Sequence, residues 1–117
     1  MHTIDLELQR LEELYDRLEI QLEKQYLDLK AHRLPSPDEE RHAGMLNQQT
    51  IEAEKRIACF MQDLEADPQR FASCRSRIAS RAALLRARAL HLIALIERNS
   101  AEFSQLRSAA QESLRKL

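Results

Sequence analysis

The sequence predicts an all-α fold, and three observations carry this prediction. The 117 residues include one Gly and three Pro, so the chain has few helix breakers. Ala, Leu, Glu, Arg and Gln dominate, and β-branched residues are too few for a sheet. Apolar residues recur at spacings of three and four along three segments that prolines separate. We therefore expect one domain, residues 1–117, which forms an antiparallel three-helix bundle or a coiled-coil-like hairpin with a long C-terminal helix.

The first predicted helix covers about residues 3–34. Thr3 is a suitable N-cap, and an apolar seam follows it with spacings of four and three for nearly four heptads. Gln25 is the one polar member of this seam. Pro35 disfavours helical backbone at Leu34, which predicts the end of the helix there. The seam consists of Ile4, Leu8, Leu11, Tyr15, Leu18, Leu22, Gln25 and Leu29.

The second predicted helix covers about residues 37–66. Ser36 is its N-cap, Pro37 its first residue and Glu39 the partner in a capping box. Gly44 either allows close helix approach or is an ordinary tolerated glycine, and we favour the second interpretation. The expected seam is Ala43, Leu46, Thr50, Ala53, Ile57, Phe60 and Leu64.

The third predicted helix covers residues 68–117. Asp67 and Pro68 repeat the cap-then-proline start signal, and Phe71 opens the apolar stripe. The segment 82–96, AALLRARALHLIALI, is apolar around most of its circumference, so we expect it to form the central helix of the bundle. The side chains that we expect to be buried there are Leu85, Leu92 and Ile96.

The third helix is predicted to be longer than the other two. At 1.5 Å per residue, the first two helices measure about 45 Å each and the third about 75 Å. Roughly 20 residues at the C-terminal end then lie beyond the reach of the others. That end bends back, frays, or offers an apolar stripe to another chain. The residues that we expect to bind a partner are Asn99, Phe103, Leu106, Ala110 and Leu114.

Charge is divided unevenly along the chain. Residues 1–69 carry 8 Lys/Arg and 16 Asp/Glu, whereas residues 70–117 carry 10 Lys/Arg and 3 Asp/Glu. This division predicts a basic third helix packed against the two acidic ones, with ion pairs at the edges that set their register. A basic face for nucleic acid is the weaker alternative, because few aromatic residues accompany the arginines. The arginines expected on one face are Arg70, Arg77, Arg81 and Arg88.

The sequence contains no motif of an enzyme, a metal site or a cofactor site. It lacks a phosphate loop, an HExxH motif and a GxSxG motif, and its four histidines are scattered without cysteines at metal spacing. We therefore expect no catalysis, no metal, no cofactor and no small-molecule ligand. The N-terminus has no signal-peptide pattern, and segment 82–96 is too short and too charged to span a membrane. With only two cysteines and no CxxC spacing, these features predict a cytoplasmic protein.

Two segments resemble the flagellar export chaperones of the FlgN/FliT type. Residues 49–57, Gln-Thr-Ile-Glu-Ala-Glu-Lys-Arg-Ile, resemble the second helix of that family. Leu92, Ile96 and Asn99 match its last-helix pattern, although Glu102 stands where a second Asn is expected. The resemblance implies a small cytoplasmic helical protein that docks exported subunits on its C-terminal helix.

The expected function is therefore binding of another protein, as a secretion or flagellar export chaperone that uses its C-terminal helix. Two other classes remain open. A homo-oligomeric coiled-coil scaffold, such as a homodimer, would use the same stripes to bind its own copy. A nucleic-acid-binding protein would use the arginine face, and its binding would depend steeply on salt.

Overall fold

The computed structural model describes residues 3–70 and 72–117, and within these ranges the chain forms three α-helices. Helix α1 spans Thr3–Lys30, α2 spans Pro37–Ala66 and α3 spans Arg75–Arg115. The predicted all-α fold with a long C-terminal helix is thus confirmed. The molecule is a rod with principal extents of 69 × 22 × 19 Å.

Helix α1 buries the seam that its sequence predicts, apart from Gln25, which is exposed. Leu8 has no exposed surface at all, and Leu14 widens the stripe. The helix ends at Lys30 and not at Leu34, because His32 adopts a left-handed backbone conformation with φ of 59°. The helix therefore ends before the position at which Pro35 would have terminated it.

Helix α2 begins as predicted. Ser36 has extended backbone, and its Oγ accepts the Glu39 N–H at 3.2 Å, while Pro37 is the first helical residue. Gly44 has open space where a side chain would stand, so it is not a point of close helix approach. The buried residues of α2 are Thr50, Ala53, Ile57 and Leu64, all members of the expected seam.

Helix α3 begins at Arg75 and not at Pro68. Asp67 closes α2, since its N–H donates to the Asp63 carbonyl at 3.1 Å. Its carboxylate also accepts the Arg70 N–H at 3.4 Å, which holds the chain in a turn before α3. The cap-then-proline pair therefore starts a turn, and Phe71, expected to open the stripe, lies outside the described residues.

Helix α1 is the centre of the bundle, so the expectation that α3 is central is wrong. Helix α1 packs against both α2 and α3, whereas α2 and α3 scarcely touch. Its neighbour α2 runs antiparallel to it. Helix α3 runs parallel to α1, because Asp5 meets Arg77 at one end and Lys30 meets Glu102 at the other.

Side chains of α3 are buried in a different register from the one expected. Leu85 and Leu92 are buried as predicted, but Ile96 keeps 45% of its surface exposed and Leu95 is buried in its place. Leu95 lies on the side of α3 that α1 covers. Ile96 lies on the side toward α2, and α2 scarcely approaches α3.

One polar contact joins α1 to α2 inside the bundle. The Tyr15 hydroxyl donates to Glu54 Oε2 at 2.7 Å. Burial raises the pKa of Tyr15, and its bond to the Glu54 carboxylate raises that pKa further. The phenol therefore stays protonated and keeps its place as a donor.

Across the described ranges, no helix is both long enough and apolar enough to cross a membrane.

Candidate protein-binding surface

The packed part of α3 stops where α1 stops. Lys30 Nζ, at the end of α1, lies 2.8 Å from Glu102 Oε1. Beyond this pair, Leu106 is half-buried, and every residue of 107–117 is exposed. Residues 103–117, which we call the overhang, extend α3 by about 20 Å past the end of α1.

Asn99, which the sequence predicts to bind a partner, is buried between α3 and α1 at the inner end of this region. Its side chain is 4% exposed. Its Nδ2 donates to the Leu22 carbonyl and to Gln25 Oε1, both at 2.9 Å, and its Oδ1 accepts from Arg98 Nε at 3.2 Å. With these bonds made, the amide has little left to offer a partner. It pairs instead with the one polar residue of the α1 seam.

An open groove lies where α2 and α3 diverge, next to the overhang. Its floor is formed by Leu22 and Leu29 of α1, and Ile96 and Phe103 of α3 form one wall. The loop residue Leu34 is 67% exposed and lies opposite. This part of the groove has a volume of about 520 Å³.

The groove continues along the overhang. A second recess of about 550 Å³ is lined by Leu34 and Phe103 again, together with Leu106 and Ala110. Because Leu34 and Phe103 line both recesses, the recesses adjoin each other, and we call the two together the C-terminal groove. Its apolar lining is Leu22, Leu29, Leu34, Pro35, Ile96, Phe103, Leu106, Ala109 and Ala110.

Four of the five predicted partner residues line this groove. Phe103, Leu106 and Ala110 line it along the overhang, and Asn99 borders its inner end although its side chain is buried. Leu114 is 67% exposed and lies farther out on the overhang. Leu34 is not among the predicted partner residues, although a large apolar residue within a proline-rich loop is a signal that could have identified it.

Ion pairs line the packed part of α3. Four of its arginines form ion pairs with acidic side chains of α1, so the pairing that the division of charge predicts is made with one of the two acidic helices. Arg70 is an exception to the expected face, because it precedes the helix. The contacts join Arg77 with Asp5, Arg81 with Asp5 at 3.7 Å and Glu12 at 3.6 Å, Arg88 with Asp16 at 2.7 Å and Glu19 at 3.3 Å, and Arg98 with Glu23 at 3.2 Å.

The overhang carries a different charge environment. It holds Arg107, Arg115 and Lys116 against a single acid, Glu112. Within residues 3–70 and 72–117, none of these four forms an ion pair. The side chains at the end of α3 therefore carry a net positive charge that no acidic residue of the described ranges pairs with.

Other reactive side chains are dispersed over the molecule. His91 Nε2 lies 3.2 Å from Glu19 Oε1, whereas His32 and His42 are exposed and line separate recesses. Cys59 is exposed and Cys74 is buried. Among the residues with described positions, no three His, Cys, Asp or Glu side chains are grouped to hold a metal ion. His2 lies outside that part of the chain.

The chain matches no protein-family model, no curated protein and no solved structure.

Proposed function

We propose that this protein binds another protein and that it acts as a cytoplasmic export chaperone for a flagellar or other secreted subunit. The partner would occupy the C-terminal groove. The observation that carries the proposal is the apolar surface of α3, which continues past the end of α1 through Phe103 and Leu106.

The energetics of exposed apolar groups support a binding role. Each large apolar side chain that stays in water forgoes about 1.5–3 kcal/mol relative to full burial. Leu34, Phe103 and Leu114 are between 46% and 67% exposed and lie at the same end of the molecule. A partner helix laid in a groove recovers part of this free energy.

The more specific proposal of an export chaperone depends on the resemblance in the last helix. Of the three residues that match the last-helix pattern of that family, Leu92 is buried in the bundle and Ile96 lines the groove. The third, Asn99, supports the bundle from within. In the FlgN/FliT type, the C-terminal helix is also the expected docking element for the exported subunit.

A homo-oligomeric scaffold is the second candidate, because the same exposed apolar residues suit a second copy of this chain. Sedimentation over a range of concentrations separates the two, since a scaffold associates with itself and a chaperone requires its partner. Nucleic acid is less favoured, because Arg77, Arg81 and Arg88 are paired with carboxylates of α1.

Site-specific photo-crosslinking in the source cells tests the proposal. A benzoylphenylalanine replaces either Leu114, on the overhang, or Ile20, on the outer face of α1. The two positions are matched, being 67% and 71% exposed. We expect a covalent adduct with another protein from position 114 and none from position 20, and mass spectrometry should identify an exported subunit.

A second substitution makes the experiment quantitative. Adding Phe103→Ala should weaken capture at position 114 by about thirtyfold, which corresponds to the roughly 2 kcal/mol typical of an aromatic hot spot. The free energy of unfolding should fall by less than about 1 kcal/mol, because Phe103 is 46% exposed. Equal adducts from both positions, or capture that survives Phe103→Ala, would show that the C-terminal groove is not the binding surface.

A further inference from the structure

Helix α3 already binds one helix within this chain, and that contact defines what its surface recognises. A row of residues spaced seven apart faces α1 and is buried as far as Asn99. Arginines beside this row pair with acids on the edge of α1, for example Arg88 with Asp16 at 2.7 Å and Arg98 with Glu23 at 3.2 Å. The helix recognised by α3 thus has an apolar seam and an acidic edge. The row is Ile78, Leu85, Leu92, Asn99 and Leu106.

On the overhang, α3 continues both its apolar row and the basic residues beside that row, but no helix of the described ranges packs against them. Leu106 is the next member of the row, and Phe103 and Ala110 widen it. Arg107 lines the groove beside Phe103, and two further cations, Arg115 and the C-cap residue Lys116, stand at the end of α3 with no ion pair among the described residues.

We propose that the C-terminal groove takes an amphipathic helix with acidic edges, which lies along α3 beyond the end of α1. This inference rests on the proposed function and defines the chemistry of the partner. Its apolar seam contacts Phe103, Leu106 and Ala110. Its acidic residues lie toward the outer end of the overhang, because Glu40 stands at the inner end of the groove and repels them.

A peptide of this chain's own α1, residues 3–30, is the probe, because it has the required seam and edge. The control peptide has lysine in place of Glu12, Asp16, Glu19 and Glu23, four of the five α1 acids that pair with α3 in the bundle; Asp5 is kept. Binding of each labelled peptide to the full chain is measured by fluorescence anisotropy. We expect saturable binding of the acidic peptide, weaker at about 300 mM than at about 50 mM NaCl because salt screens exposed charges. The lysine peptide should bind at least about tenfold less tightly.

Charge reversal on the protein locates the site. The triple variant Arg107→Glu, Arg115→Glu and Lys116→Glu should weaken acidic-peptide binding at least about tenfold, or about 1.4 kcal/mol. A control variant replaces Arg10, Arg17 and Lys55 with Glu, which changes the net charge by the same amount. These three residues are exposed and lie far from the overhang in the sequence. It should bind as the wild type does. All six side chains are exposed, so both variants should melt as the wild type does.

Three results would overturn the inference. Equal binding of the two peptides would remove the charge preference. If the triple charge reversal on the overhang leaves the affinity for the acidic peptide unchanged, the peptide binds by displacing α1 from the bundle and not in the C-terminal groove. Failure of the peptide to bind, together with self-association that Phe103→Ala abolishes, would make the occupant a second copy of the chain.

The peptide measurement needs no native partner, so its failure is distinguishable from failure of the proposed function. A crosslink at position 114 to a segment that is not acidic and helical would refute the inference alone. The absence of any crosslink there would count against the function.

Discussion

At the residue scale, His32 decides where α1 ends. Its backbone has φ of 59°, a left-handed conformation that favours glycine. The His32 N–H donates to the Leu29 carbonyl at 3.0 Å, and the Arg33 N–H donates to the Asp28 carbonyl at 2.8 Å. This is the Schellman arrangement of a helix end. It turns the chain early and leaves Leu34 at the groove.

We expect His32→Gly to stabilise the protein by about 0.5–1 kcal/mol, because it relieves the left-handed strain at a modest entropic cost. The matched control is His42→Gly, which changes an exposed histidine inside α2 and should destabilise by about 1 kcal/mol. Urea denaturation measures both. Equal losses of stability in the two variants would mean that α1 continues past His32.

At the element scale, α3 shows how one neighbour narrows a broad apolar face. Its segment 82–96 is apolar around most of the circumference, yet α1 alone covers it closely. A parallel two-helix contact buries a narrow seam, so Leu92 and Leu95 lie inside while Ile93 and Ile96 are 49% and 45% exposed.

This register predicts unequal costs for truncating neighbouring aliphatic residues. Leu92→Ala should lower the free energy of unfolding by about 2–5 kcal/mol, because a 3%-exposed side chain leaves a cavity. Ile96→Ala should cost less than about 1 kcal/mol, and Ile93→Ala is its control at similar exposure. Chemical denaturation distinguishes them, and a cost for Ile96→Ala equal to that for Leu92→Ala would restore Ile96 to the core.

At the scale of the whole molecule, the alignment of α1 with α3 decides how much of α3 remains uncovered. The two helices are parallel, and their polar seam residues, Gln25 and Asn99, meet at 2.9 Å. A single polar pair within an apolar seam favours one alignment, because any shift would bury an amide without its partner. In this alignment, Lys30 reaches Glu102 and the overhang begins just beyond.

Replacing Asn99 with a large apolar residue should make the alignment of α1 with α3 less specific without lowering the free energy of unfolding. We expect Asn99→Leu to leave the free energy of unfolding unchanged or to raise it by up to about 2 kcal/mol, while additional oligomers appear. Asn99→Ala should instead lose about 1–3 kcal/mol, since it removes the hydrogen bonds and leaves a gap. Denaturation and sedimentation velocity provide the two measurements. If Asn99→Leu loses stability without new oligomers, the contact with Gln25 does not specify alignment.

Part of the candidate surface was predictable from the sequence. The positions of Phe103, Leu106 and Ala110 follow from the spacing of one stripe and from the length of α3. Leu34 reaches the groove because the chain turns at His32, and the amide of Asn99 is held inside the bundle by Gln25 and the Leu22 carbonyl. Such contacts join distant parts of the chain, and periodicity carries no information about them.

The sequence by itself determined the helical class, the start of α2 at Ser36 and the buried seam of α1. These features depend on local capping chemistry and on the 3.6-residue period of a helix. The tertiary structure alone decided that α1 is central, that Leu95 is buried in place of Ile96, and that α3 begins at Arg75. The physical reason is that a periodic pattern shows which side chains share a face, whereas burial depends on which helix covers that face.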